Sequence, residues 1–190
     1  SSAASDVYKR QVKMRIGWDE ESINAVDFAK AVTDAGAAAL TIHGRTRKQQ
    51  YSGKANWEEI AKVRKAVSVP VTANGDIWDA SSALQCAEIT GCDALAIGRG
   101  ALGNPWLFKE IKAAFSHEPY EKPTFPEIME TALRHCEQMI AWKGEKSGML
   151  EMRKHLGWYV TGQRGVAKLR TRLNLAASLD EVKELLSTLL

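Results

Sequence analysis

The stretch ALAIGRGALGNPWLF, residues 94–108, holds the key to the architecture. Residues 94–97 read as a short buried strand and Gly98-Arg99-Gly100 as the turn that ends it. Pro105 then opens a helix, because proline fits a first helical turn, where its missing N–H is not needed. A strand that passes through glycines into a helix start leaves unpaired backbone N–H groups in one small volume, which suits a phosphate. Arg99 adds a planar, permanently charged fork. Taken alone, the same letters also describe an ordinary tight turn between strand and helix.

Three earlier segments repeat the pattern. Residues 12–16 form a strand that Gly17 breaks. Asp19 and Ser22 then cap a helix with Val26, Phe28, Ala29, Val32 and Ala35 at helical spacing, and Gly36 ends it. The second strand, 38–42, runs into the polar loop that starts His43-Gly44-Arg45-Thr46-Arg47. Asn56 with Glu59 is a capping box for a helix burying Trp57, Ile60, Val63 and Val67. The third strand, 69–73, carries Pro70 near its entrance and closes on Asn74-Gly75-Asp76. Asp79 caps a helix burying Ala83, Leu84, Ala87 and Ile89, which Gly91 ends. Short apolar strands alternating with helices are the pattern of parallel βαβ units. The polar clusters Lys13/Arg15, His43/Arg45, Asn74/Asp76 and Gly98/Arg99 all fall at or near strand C-terminal ends, where such folds place their chemistry.

After residue 108 the pattern changes. Residues 117–126, HEPYEKPTFP, hold three of the five prolines and read as a linker. Helices are expected over 125–142, 146–161, 166–175 and 179–190. The second buries Met149, Met152, Leu156 and Tyr159. The last follows a Ser178-x-x-Glu181 capping box and buries Leu179, Val182, Leu186 and Leu189. Four short helices make a small bundle.

A chain of 190 residues with 45% hydrophobic and 26% charged residues has the composition of a soluble globular protein. A net charge of +3 is too mild to name a nucleic-acid partner by itself. Its distribution is more informative. Residues 143–172 carry eight Lys or Arg against two Glu, with Lys154, His155 and Trp158 off the buried stripe. An aromatic among cations suits RNA, where rings stack on bases and cations meet phosphate. A solvated face, or packing of Trp158 against the βαβ part of the chain, stays open as the other reading. Cys86, Cys92 and Cys136 lack metal spacing and read as small buried hydrophobes in a reducing, cytoplasmic setting, with no metal site expected. No apolar run is long enough for a membrane span. Residues 1–11 carry no motif.

The strings VKMRIGWD, TIHGRTR, ANGDI and AIGRGALGNPW, in that order and followed by RKHLGWY, resemble the tRNA-dihydrouridine synthases, most closely the bacterial B type. The resemblance implies an α/β fold: the C-terminal half of a (β/α)8 TIM barrel, strands 5 to 8, at 12–116, and a helical tRNA-recognition domain at 127–190. It implies FMN at the barrel mouth, NADPH as reductant and tRNA as substrate, in a protein monomeric when full length. By the same resemblance Lys13 reaches the flavin ring from strand 5 and His43 lines the site from strand 6. Asn74, Gly75 and Asp76 contact the cofactor, and Gly98 with Arg99 holds its phosphate. Arg45 would approach flavin phosphate or RNA, with Arg153, Lys154, Trp158, Arg164, Lys168 and Arg170 on RNA. The implied reaction reduces the uridine C5–C6 bond to 5,6-dihydrouridine. The acid cysteine belongs to the barrel half that these motifs do not cover, so none of the three cysteines is assigned to catalysis and the chain alone is expected to be inactive. Another FMN barrel reductase of a small molecule, or a non-catalytic RNA-binding module, are the alternatives.

Overall fold

The computed structural model describes residues 10–162 and 166–187. The chain divides into two compact units. One runs to Gly100 and resumes at Glu110–Glu118, and the other is made of Ala101–Lys109 and the residues from Pro119 onward.

In the first unit, β1 (Gln11–Arg15), β2 (Ala39–His43), β3 (Val71–Asn74) and β4 (Ala94–Ala96) form one sheet in that spatial order. All pairings are parallel. The connecting helices are α1 (Ala25–Asp34), α2 (Trp57–Ala66) and α3 (Ala80–Thr90), so the expected α/β alternation is present. Arg15 pairs with His43, His43 with Asn74 and Asn74 with Ala96. The strand ends therefore lie in one row, and the loop leaving each strand is delivered to one edge of the sheet.

Apolar residues explain why the sheet holds. Leu40 and Ile42 of β2, Val71 and Ala73 of β3, and Ile60 and Val63 of α2 are all buried to within 1%. Full burial of such an aliphatic side chain contributes about 1.5–3 kcal/mol. Local signals set the helix ends. The Asn56 side chain accepts the Glu59 N–H at 2.9 Å, and Asp79 accepts the Ser82 N–H at 2.7 Å. Gly91 ends α3 in the left-handed region at φ +60°.

Several elements differ from the sequence reading. β4 is not buried: Ala94 is exposed and Leu95 and Ala96 are half-buried, because the strand is last in the sheet order and has one neighbour. β3 starts after Pro70, whose carbonyl accepts the Leu40 N–H although its nitrogen can donate nothing. Asp19 and Ser22 cap a separate 3-10 turn, Glu20–Ser22, and α1 starts only after Asn24. Pro105 does not open the helix after β4. A 3-10 turn at Arg99–Ala101 comes first, and α4 (Leu107–Ser116) begins where the Asn104 carbonyl takes the Leu107 N–H. Phe28, Leu84 and Ile89 are 39–47% exposed, since helical spacing marks an apolar face but not whether a neighbour covers it.

The second unit holds α5 (Phe125–Lys143), α6 (Glu145–Tyr159), α7 (Val166–Leu173) and α8 (Leu179–Ser187). Thr124 and Glu127 close the capping box of α5, with Pro126 in its first turn. Gly144 alone joins α5 to α6, at φ +78°. A Cβ on Gly148 would stand 2.9 Å from Ile140 Cα, so at this point α5 and α6 touch backbone to backbone. The expected stripe Met149, Met152, Leu156 and Tyr159 is buried among Met129, Cys136, Leu173 and Val182. Leu189 and residues 1–9 lie outside the described residues. No helix among the described residues is long and apolar enough to cross a membrane.

Candidate functional site

The row of strand ends opens onto a cleft of about 450 Å³, within the size range of small-molecule sites. Lys13, His43, Asn74, Gly75, Asp76, Gly98 and Arg99, the seven residues expected around a cofactor, all line it. Arg15, Tyr51 and Trp78 join them.

Each side chain is held by its neighbours. Lys13 Nζ donates to Asn74 Oδ1 at 3.1 Å, and Asn74 Nδ2 donates to the Ala96 carbonyl at 2.7 Å. The two bonds fix which face of the Asn74 amide meets the lysine. Partial burial, and then the charge of Arg15, lower the Lys13 pKa from its ordinary value. Gly75, at φ +124°, passes so close to His43 that a Cβ would stand 3.1 Å from its Cδ2, and 2.8 Å from Ala55 Cβ. Glycine is required there by both backbone angle and space. Gly98 is different: a Cβ there would meet nothing within 4 Å, so the cleft is open over its backbone.

Asp76 sits at φ +57° and is the hub of the site. Its Oδ2 accepts from Arg45 Nη2 at 2.8 Å and from the Ala55 N–H at 2.7 Å, and Arg99 Nη2 lies 3.5 Å from Oδ1. Burial alone would raise its pKa, but these donors outweigh burial and hold the carboxyl below the usual range. Oδ2 is thus committed to protein partners.

His43 is 8% exposed and ringed by cations. Burial first, then Arg15, Arg45 and Lys13, lower its pKa to about 4, so the imidazole is neutral at physiological pH. The unfolded chain takes up a proton near pH 6.5 that the fold excludes down to about 4. Stability therefore falls as pH drops through that window, by up to about 3 kcal/mol. In urea unfolding at pH 7, 5.5 and 4.5, His43→Gln is expected to show a clearly flatter pH dependence than the wild type. Parallel curves would contradict it.

Sequence reasoning placed Arg15 in a strand-end cluster without giving it a role, and missed Tyr51 and Trp78 as site residues. Arg15 Nη1 donates to the Thr46 and Gln50 carbonyls at 2.8 and 3.2 Å, tying the loop after β2 to β1. The Arg99 guanidinium lies 4.4 Å from the Tyr51 ring centroid and 4.9 Å from that of Trp78. The only hint in the letters was two aromatics in otherwise polar loops.

The residues expected on RNA separate into groups. Arg45 is corrected: it is 2% exposed, bonded to Asp76 and to the Ser52 and Gly53 carbonyls, and cannot reach a nucleic acid from there. Arg153 is half-buried, and its guanidinium donates to the Ala176 and Leu175 carbonyls at 3.0 and 3.2 Å, tying down the turn after α7. Lys154, Lys168 and Arg170 are exposed. Trp158 is half-buried, edge-on to His155 with ring centroids 5.0 Å apart. Arg164 lies outside the described residues.

None of the three cysteines lines the cleft. Burial pushes the Cys86 thiol up to about 12 and that of Cys136 up to about 11, as befits packing residues. Among the described residues no cluster of His, Cys, Asp and Glu could hold a metal.

The family model for dihydrouridine synthases matches residues 3–190. The chain is 45% identical over 180 residues to a "Probable tRNA-dihydrouridine synthase" of Mycobacterium leprae, covering 94% of this chain and 47% of that protein. It is 45% identical over 176 residues to a "Probable tRNA-dihydrouridine synthase 1" of Synechocystis, covering 92% and 49%. With the "tRNA-dihydrouridine synthase B" of Pseudomonas aeruginosa it shares 41% over 170 residues, covering 89% and 51%. The chain spans about half the length of the curated relatives it matches.

Proposed function

Because the chain belongs to the dihydrouridine synthase family, we propose that it supplies the flavin-holding cleft and the RNA-facing helices of an enzyme that reduces uridine to 5,6-dihydrouridine in tRNA. In this reading the four strands are strands 5 to 8 of a (β/α)8 barrel, residues 12–116, and the helices at 127–190 recognise tRNA. The observation that carries it is the gathering of Lys13, His43, Asn74, Gly98 and Arg99 on one cleft at the strand C-terminal ends, the usual place for a phosphorylated cofactor.

The residues fit FMN. Three cations, Lys13, Arg15 and Arg99, line the cleft and match a dianionic phosphate and a ring that gains negative charge on reduction. The open space over Gly98 lets backbone approach an anion closely. When bound, FMN supplies hydride transfer from NADPH to the uracil. Lys13, aimed by Asn74, places a cation in the cleft for negative charge on the ring. Neutral His43 offers hydrogen bonds without a mobile proton at pH 7. The proton for uracil C5 is assigned, by the family resemblance, to a cysteine outside the motifs present here. Asp76 holds Arg45 through Oδ2 and leaves Oδ1 at the cleft beside Arg99, where it can accept from the cofactor. Lys154, Lys168 and Arg170 meet tRNA phosphates.

Two measurements test the reading. The intact protein should bind FMN and, with NADPH, form dihydrouridine in tRNA, whereas these 190 residues alone should not. Lys154→Glu with Lys168→Glu should weaken tRNA binding and lower its log–log salt slope by about 2, with FMN affinity unchanged. A protein that binds tRNA but no flavin would replace this reading with that of a non-catalytic RNA-binding module. A salt slope unchanged by the double variant would remove the helices from the RNA interface.

A further inference from the structure

Arg99 is the charged group in the cleft with the most unusual surroundings. Its guanidinium lies over the rings of both Tyr51 and Trp78, 4.4 and 4.9 Å from their centroids. Both rings are largely exposed, at 60% and 47%, so neither is explained by core packing. Both are presented from pinned backbone. The Trp78 N–H donates to Ser82 Oγ at 2.9 Å. The loop bearing Tyr51 is held by Arg15 on the Gln50 carbonyl and by Arg45 on the Ser52 and Gly53 carbonyls.

Stacking engages the faces of a guanidinium and leaves the N–H donors, which lie in its plane, free to bind at the edge. The acid beside it does not consume them. Asp76 spends Oδ2 on Arg45 and Ala55, and its other oxygen stands 3.5 Å from Arg99 Nη2, the long end of a hydrogen bond. Arg99 thus keeps a position set by two rings and unspent donors, next to the open backbone of Gly98. A bidentate fork with a set orientation is what recognises a phosphate monoester.

We propose that Tyr51 and Trp78 are positioning residues that clamp Arg99 and make the cleft selective for a phosphorylated flavin over the same ring system without phosphate. The inference rests on the FMN reading and deepens it. It predicts a change in ligand discrimination, which general damage to the cleft would not produce.

The test is a pair of titrations, FMN and riboflavin, followed by flavin fluorescence on the intact protein. Tyr51→Ala and Trp78→Ala should each weaken FMN about threefold and the double variant about tenfold, with riboflavin changed less than twofold. Tyr51→Phe should retain the wild-type FMN preference, since the ring and not the hydroxyl stacks. Equal loss of both ligands, or no loss of either, overturns the clamp. If Arg99→Gln removes the FMN preference while the ring variants keep it, the clamp falls and the FMN reading stands. A wild type that binds neither flavin, or both equally, overturns the FMN reading and the clamp with it.

Discussion

Asp76→Ala is expected to lower the unfolding free energy by about 3–5 kcal/mol, the range found when one partner of a buried ion pair is removed. The size comes from the groups left behind. Arg45 is 2% exposed and has its Nη2 2.8 Å from Asp76 Oδ2. Without the carboxylate it would be a buried charge with no ionic partner. The Ala55 N–H, 2.7 Å from the same oxygen, would be orphaned too. Urea unfolding followed by tryptophan fluorescence would read the loss, since Trp57 Nε1 donates to the Gly75 carbonyl beside the hub. Adding Arg45→Met to Asp76→Ala should recover a large part of it, because an apolar pair leaves no buried charge. A double variant no more stable than Asp76→Ala would show that the loss came from elsewhere in the turn.

The second large effect is in the helical unit. Gly103 has φ +71°, and a Cβ there would stand 2.5 Å from Trp158 C and 2.7 Å from its carbonyl oxygen. Those are backbone atoms, so no rotamer change relieves the clash. Gly103→Ala should cost about 3 kcal/mol: about 1 for the left-handed backbone and the rest for overpacking. Gly91→Ala is the control, with φ +60° but nothing within 4 Å of the added carbon. It should cost about 1 kcal/mol. Equal effects in the two variants would mean that Trp158 yields easily at this contact.

The architecture was legible because its signals are local. The caps at Asn56 and Asp79 and the left-handed Gly91 act within four residues of themselves, and the buried stripe of α6 is set by its own periodicity. The illegible features depended on neighbours distant in sequence. The exposure of β4 comes from its position at the end of the sheet, which an apolar run of letters does not state. Pro105 was a helix-start signal displaced by two residues: it lies in the turn that the Asn104 carbonyl closes on the Leu107 N–H, immediately ahead of α4.

In the cleft, residue types at strand ends were readable and their partners were not. Arg45 and Arg99 look alike in sequence, each following a glycine at a strand end. One is buried against two carbonyls and a carboxylate, while the other stays partly exposed over two rings. Arg153 likewise lay among cations but places two of its donors on the turn after α7. Charge density along a chain cannot distinguish a cation that serves the fold from one available to a partner.

The positive φ of Asp76 has a consequence for how variation at this site is to be interpreted. A left-handed backbone at +57° admits glycine, asparagine and aspartate with little penalty and resists the rest. The buried Arg45 demands a negative charge, which glycine and asparagine lack and glutamate would bring only on an unsuitable backbone. Aspartate alone passes both filters. Position 76 is therefore intolerant of substitution on architectural grounds, and a ranking of residues by intolerance would set it beside or above groups that touch a ligand.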